Sequence, residues 1–266
     1  MSRSYLPHWM HWLGSPPNFY RFAGAVRPWL FAAAIVTAVI GLYGGLVLAP
    51  PDRYQGDAFR IIYIHVPSAW MSLFIYATMA VAGLAALVWR VKLAEVIAME
   101  CAPIGAAFTL ITLITGSLWG RPMWGTWWTW GARLTSELVL FFLFLGVIGL
   151  YNAFEDRRRG ARAASLLALV GIVNLPIIHY SVVWWNTLHQ GSTVVLFGQH
   201  SMFGAHPEIA MSMLWPLLVM ALATHLYFFA SILGRARVGI LTLESGKQWV
   251  RQLVADDAPP RAEATP

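Results

Sequence analysis

The sequence predicts an all-α integral membrane protein of six transmembrane helices, with both termini cytoplasmic and a tryptophan-rich loop on the outer face between helices 3 and 4. Three observations carry that expectation. First, 58% of the 266 residues are hydrophobic, only 11% are charged and the mean hydropathy is +0.61, a balance outside the range of water-soluble domains. Second, six nearly uncharged apolar runs approach or exceed the roughly 20 residues that cross a bilayer: Trp29–Ala49, Val66–Trp89, Cys101–Gly120, Leu138–Phe154, Ala163–Trp185 and Ile209–Gly234. Third, 14 of the 18 Lys and Arg residues fall in the two termini and the second and fourth connections. The remaining four (Arg53, Arg60, Arg121 and Arg133) lie in the first and third. Cytoplasmic segments are the ones enriched in Lys and Arg. The +6 charge is therefore spread by topology, and no single basic patch points to nucleic acid.

The elements follow in order. Residues 1–27 mix Trp9, Trp12, Phe19 and Tyr20 with three Arg, the composition of an amphipathic segment lying on a membrane surface. His8 and His11 in this stretch suit either solvated surface histidines or a metal pair. No cleavable signal peptide is expected, because the first apolar run is long enough to remain as a helix. That helix ends at Pro50-Pro51, and a short connection leads to Ile61-Ile-Tyr-Ile-His65-Val-Pro-Ser-Ala-Trp70. Proline is favoured in the first turn of a helix, so His65 is expected just ahead of helix 2, at the outer surface. Cys101, the sole cysteine, excludes an internal disulfide and a Cys-x-x-Cys motif, and reads as a small buried apolar residue. Helix 4 is a plain Phe/Leu/Val run that starts near Leu134–Glu137 and ends at the basic turn Glu155–Arg159. Helix 5 passes through Asn174-Leu-Pro-Ile-Ile-His179 and delivers His189 to the outer surface. His200 and His206 lie in the last outer loop, His225 lies deep in helix 6, and the Pro/Ala/Asp-rich residues 255–266 predict disorder. Residues 1–240 form one membrane domain in this reading, and 241–266 a cytoplasmic tail.

The stretch Trp119-Gly-Arg-Pro-Met-Trp-Gly-Thr-Trp-Trp-Thr-Trp130 holds five of the 14 tryptophans. Its glycines and proline predict a loop or short helical turns. Indoles collect at membrane interfaces as anchors, but this density also suits a platform for a large flat apolar ligand. Haem is such a ligand, and its iron takes two axial imidazoles. His65 and His189, on the same side as the platform, could supply them. Arg121 and Arg133 flank the platform and could pair with propionate carboxylates, although an outer arginine is by default solvated or facing lipid phosphate. No nucleophile of an enzyme is recognisable.

These residues carry a resemblance. The Trp119–Trp130 string with Ala132-Arg-Leu-Thr-Ser-Glu137, Arg60-Ile-Ile-Tyr-Ile-His65-Val-Pro, Ala102-Pro-Ile-Gly-Ala106, Val173-Asn-Leu-Pro-Ile-Ile-His-Tyr-Ser181 and Trp184-Trp-Asn-Thr-Leu-His-Gln-Gly-Ser192 resemble the tryptophan-rich haem-handling membrane proteins. The CcmC branch, of bacterial cytochrome c maturation, is the most similar. The resemblance spans roughly residues 20–240. It implies a periplasmic Trp-rich loop, residence in the bacterial inner membrane, and haem b held by His65 and His189. Combined with the platform reading, Trp119, Trp124, Trp127, Trp128 and Trp130 are expected to cradle the porphyrin, with Arg133 or Arg121 on the propionates. It further implies presentation of haem to the chaperone CcmE, whose histidine becomes linked to a vinyl, and the partners CcmA and CcmB (ABC transporter subunits) and CcmD (a small membrane protein). An electron-carrying b-type cytochrome would normally set its paired histidines deeper in the helices. A haem-transporting exporter subunit would show a polar, broken path across the membrane. One departure is plain: the family closes its signature with Trp-Asp, and this chain has Trp130-Gly131. That removes a hydrogen-bond acceptor and loosens the backbone.

Overall fold

The computed structural model describes residues 14–185, 188–189 and 209–256. Every regular element among them is helical: α1 (Pro16–Tyr43), α2 (Ile62–Trp89), α3 (Lys92–Trp124), α4 (Ala132–Asn152), α5 (Arg157–Gly171), α6 (Asn174–Trp184), α7 (Met211–Leu243) and α8 (Gln248–Asp256). Six stretches are long and apolar enough to cross a membrane, and α5 and α6 together make the fifth. The expected six-helix architecture is present. His8, His11, His200 and His206 lie outside the described residues, as do residues 257–266 of the tail.

Several boundaries differ from the sequence expectation, each for a physical reason. Pro16 and Pro17 open α1 at its first two positions, so residues expected to lie along the membrane surface join the first span. Helix α2 starts at Ile62, after a 3₁₀ turn over Asp57–Ile61. His65 and Pro67 are therefore inside it and not ahead of it. Buried Phe59, Ile62 and Tyr63 anchor that early start in an apolar cluster with Leu214 and Leu217 of α7. Helix α3 continues through Gly120 and Pro122 to Trp124, so Trp119 and Trp124 sit on a helix, not in a loop. Pro122 is only two residues from the end of that helix, and Gly125, at φ 74°, supplies the left-handed residue that stops it. The fifth span is broken at Ile172-Val173. Pro176 is the cause: it cannot donate to the carbonyl of Ile172, and its ring crowds that carbonyl. Leu175 N–H bonds Ile172 O at 3.1 Å instead.

Lipid tails are as apolar as leucine, so close van der Waals approach holds such helices together in place of water exclusion. The buried faces accordingly use small residues: Ala98, Ala102, Gly105 and Ala106 on α3, and Ala161, Ala164, Ala168 and Gly171 on α5. Larger side chains interlock between them. The Phe144 ring of α4 occupies the space where a Gly105 side chain would be and meets Tyr76 edge-on at 5.0 Å. Cys101 is fully buried in this cluster. Polar ties cross it as well. Asn174 Nδ2 donates to Ser136 O at 2.9 Å, and Arg235 Nε pairs with Glu100 Oε2 at 2.9 Å. On the outward surfaces, Val36, Val39, Val81, Phe142 and Val170 are exposed, as lipid-facing positions require.

At one end, α1 finishes in a π-helical turn, Gly44–Leu48. Glycine is needed at 44 and 45, because a side chain there would collide with the rings of Trp215 and Tyr63. The Arg60 guanidinium gathers carbonyls from this turn, donating to Gly45 O at 2.9 Å and Ala49 O at 3.0 Å. Arg60 is thus a clamp that fixes the entry to α2.

Candidate functional site

Beside that clamp, a cavity of about 480 Å³ opens among α2, α3, α4 and α6, within the roughly 300–1,000 Å³ of small-ligand sites. His65 stands in its wall and is 8% exposed. Its Nδ1 lies 3.0 Å from Thr115 Oγ1. That hydroxyl spends its single proton on Ile111 O at 2.6 Å, as a threonine one turn on commonly does. With that proton so placed, its oxygen accepts from His65 Nδ1–H, and the imidazole also hydrogen-bonds the Thr112 backbone. In that tautomer Nε2 keeps the lone pair that a metal takes.

His189, beyond the end of α6, faces the same cavity, with its ring centre 6.4 Å from that of His65 and the ring planes at 37°. Two imidazoles on opposite sides of one metal, at bonds of about 2 Å, have ring centres roughly 6 Å apart once about 1 Å from nitrogen to centre is added for each. The spacing matches. Among the described residues no group of three or more His, Cys, Asp or Glu converges on a metal-sized point. Two imidazoles alone suit a metal that brings its remaining donors with it, as a porphyrin does.

The aromatic wall is built by α3 and the segment after it. Trp119 is buried, meets His65 edge-on at 5.6 Å and donates from Nε1 to Gln55 Oε1 at 2.8 Å. Trp124 packs 6.4 Å from His189. Trp128 also lines the cavity, and its buried Nε1–H has no hydrogen-bond partner among the described residues. An unsatisfied buried donor costs about 1–3 kcal/mol, so it favours a ligand that carries an acceptor such as a carboxylate. Arg133 adds a guanidinium to the wall and donates to Ile178 O at 3.3 Å.

Of the nine residues singled out in the sequence, His65, His189, Trp119, Trp124, Trp128 and Arg133 share this cavity. Trp127 (56% exposed) and Trp130 (77% exposed) face outward, and Trp130 meets Trp128 of the cavity wall edge-on at 5.6 Å. Arg121 points away and donates to Gly125 O. Gly131 has an ordinary extended backbone, φ −71° and ψ 158°, as the residue capping the start of α4, so nothing in the turn requires glycine.

Glu137 was not singled out as a site residue, yet its buried carboxylate lines the cavity and accepts from Ser72 Oγ at 2.8 Å. Its spacing of four from Arg133, inside an apolar helix, was the available signal. Thr115 carried no such signal, because only the fold brings it to His65. His179 lines the cavity. His225 does not; its Nδ1 lies 2.7 Å from Ala221 O within its own helix.

The fold and the cavity define a class: multi-pass helical membrane proteins with a paired-histidine, indole-walled pocket at one end of the bundle. Residues 9–251 match the family described as CcmC, Heme exporter protein C. The chain is similar to Heme exporter protein C of Escherichia coli K12, 49% identical over 245 residues that cover 92% of this chain and 96% of that one. It is also similar to Heme exporter protein C of Bradyrhizobium diazoefficiens, 51% identical over 229 residues, 86% and 84% of the two chains. A putative cytochrome c biosynthesis ccmC-like mitochondrial protein of Marchantia polymorpha is 48% identical over 159 residues, 60% of this chain and 67% of that one. This chain belongs to the CcmC family.

Proposed function

We propose that this protein binds haem at the outer face of the bacterial inner membrane and presents it to the chaperone CcmE during maturation of c-type cytochromes. The observation that carries the reading is the pair of imidazoles, 6.4 Å apart in one cavity. Haem is cargo here. His65 and His189 hold its iron, Trp119, Trp124 and Trp128 pack the macrocycle, and Arg133 meets a propionate. The chain contributes position and water exclusion, with no nucleophile of its own. Trp127, Trp130 and Arg121 lie toward the rim, where an arriving chaperone would touch them. The concentration of Lys and Arg at the opposite end of the spans supports a periplasmic site. CcmA, CcmB and CcmD complete the assembly in this reading.

The test is the absorption spectrum of the purified protein, co-expressed with the chaperone, for the parent and for His65→Ala and His189→Ala. A low-spin haem spectrum in the parent, lost in both variants together with covalent haem on the chaperone, is the expected result. A spectrum unchanged in both variants would remove the two-histidine assignment.

A further inference from the structure

Helices α1 and α7 run antiparallel, with Gly44 against Trp215 near the cavity end, Gly41 against Met220 and, at the opposite end of the bundle, Gly24 against Arg237. The contact there is reciprocal. A side chain at Gly24 would meet the Arg237 guanidinium at 3.1 Å, and one at Gly234 would meet Arg27 Nε at 2.7 Å. Each glycine thus leaves a notch through which the arginine of the facing helix passes. Both arginines border a groove of about 460 Å³ whose remaining floor is Pro28, Phe31, Ala32 and Ile35 of α1.

Neither guanidinium has a carboxylate partner among the described residues. Arg237 lies 4.1 Å over the Tyr20 ring, while its Nε is buried without a hydrogen-bond partner among the described residues. Two like charges brought to one groove, with a buried donor unsatisfied, are an unfavourable arrangement unless an anion completes it. The rest of the groove is apolar and extends from Arg27 about two helical turns along the lipid-facing side of α1, through Phe31 and Ile35. A free anion would satisfy the arginines but not this tail-shaped extension. Basic pockets between transmembrane helices favour anionic headgroups.

We propose that this groove is a binding site for one anionic phospholipid, its phosphate held by Arg27 and Arg237 and an acyl chain lying along Phe31, Ala32 and Ile35. The site is independent of the haem cavity.

The test uses the full chain purified in detergent. Its thermal unfolding is followed after addition of phosphatidylglycerol, phosphatidylcholine or inorganic phosphate, and the lipid it retains is measured by extraction and mass spectrometry. Phosphatidylglycerol should raise the midpoint, and the other two should not. The double variant Arg27→Gln/Arg237→Gln should lose that difference and retain roughly 30-fold less anionic lipid, given two surface-level arginine contacts. Should the double variant fail to fold, Ala32→Trp decides: position 32 is exposed, and an indole there blocks the acyl path while leaving both arginines, so retention should fall. Equal retention by parent and variants overturns the proposal. A shift reproduced by inorganic phosphate does so as well, in favour of a free-anion site. A parent dimer dissolved by the double variant, with lipid retention unchanged, would assign the groove to a second copy.

Discussion

Replacing Thr115 with valine tests the site at its least visible point. The hydroxyl accepts from His65 Nδ1 at 3.0 Å while donating to Ile111 O, and valine keeps the shape without the oxygen. A ring N–H on a side chain only 8% exposed then loses its side-chain acceptor and keeps only the Thr112 backbone, at a cost of up to about 1–3 kcal/mol. At 1.4 kcal/mol per tenfold, that is roughly a 5- to 150-fold change in equilibrium. Loss of an outer partner of a metal-bound histidine independently gives about 10–100-fold in affinity. The two estimates overlap, so Thr115→Val should weaken haem binding by about 10–100-fold, and Thr115→Ser should restore it. The assay is haem titration of the purified protein by Soret absorbance, with circular dichroism as a control for helicity. If the valine variant keeps its helicity and binds haem as tightly as the parent, the hydroxyl does not orient His65 and the reasoning fails.

Other outcomes follow from the same geometry. Gly131→Asp supplies the acceptor missing at the start of α4; it should stabilise that helix by a few tenths of a kcal/mol and slow haem loss, read as the dissociation rate to an apoprotein acceptor. Gly105→Val drives a side chain into the Phe144 ring and should cost about 1–3 kcal/mol, seen as a lower unfolding midpoint; an unchanged midpoint would contradict the packing. For Glu244, burial pushes the carboxyl pKa up, but hydrogen bonds from Lys92 and Trp249 outweigh it and hold it below its ordinary value. A lowered folded-state pKa contributes stability at neutral pH, and that contribution is lost as pH falls through the folded value. The emission of Trp249 should therefore change below the ordinary carboxylate range of about pH 4.3, and Glu244→Gln should abolish that transition.

Much of this was legible in the chain itself. Hydropathy located six spans because bilayer thickness imposes a length that no other structure needs. The Trp-rich string and two histidines converge on one cavity because each stands at the same end of its span, a parity that counting crossings supplies. Helix ends were less legible. Pro67 read as a start and Gly120 and Pro122 as stops, yet anchoring by Ile62, Tyr63 and Trp119 carries the helices past all three. Which indoles face inward was also hidden, since Trp127 and Trp128 are neighbours in sequence and diverge in exposure. Thr115 and Gln55 became visible only when α2, α3 and the first connection were brought together.

The break at Pro176 has a mechanical corollary. His65 belongs to a long helix packed on its neighbours and is pinned by Thr115. His189 follows an eleven-residue helix set off from α5 and lies beyond its end. The cavity is thus walled on one side by an unbroken span and on the other by a span in two pieces, so the two imidazoles that stand 6.4 Å apart are set by structurally unlike supports.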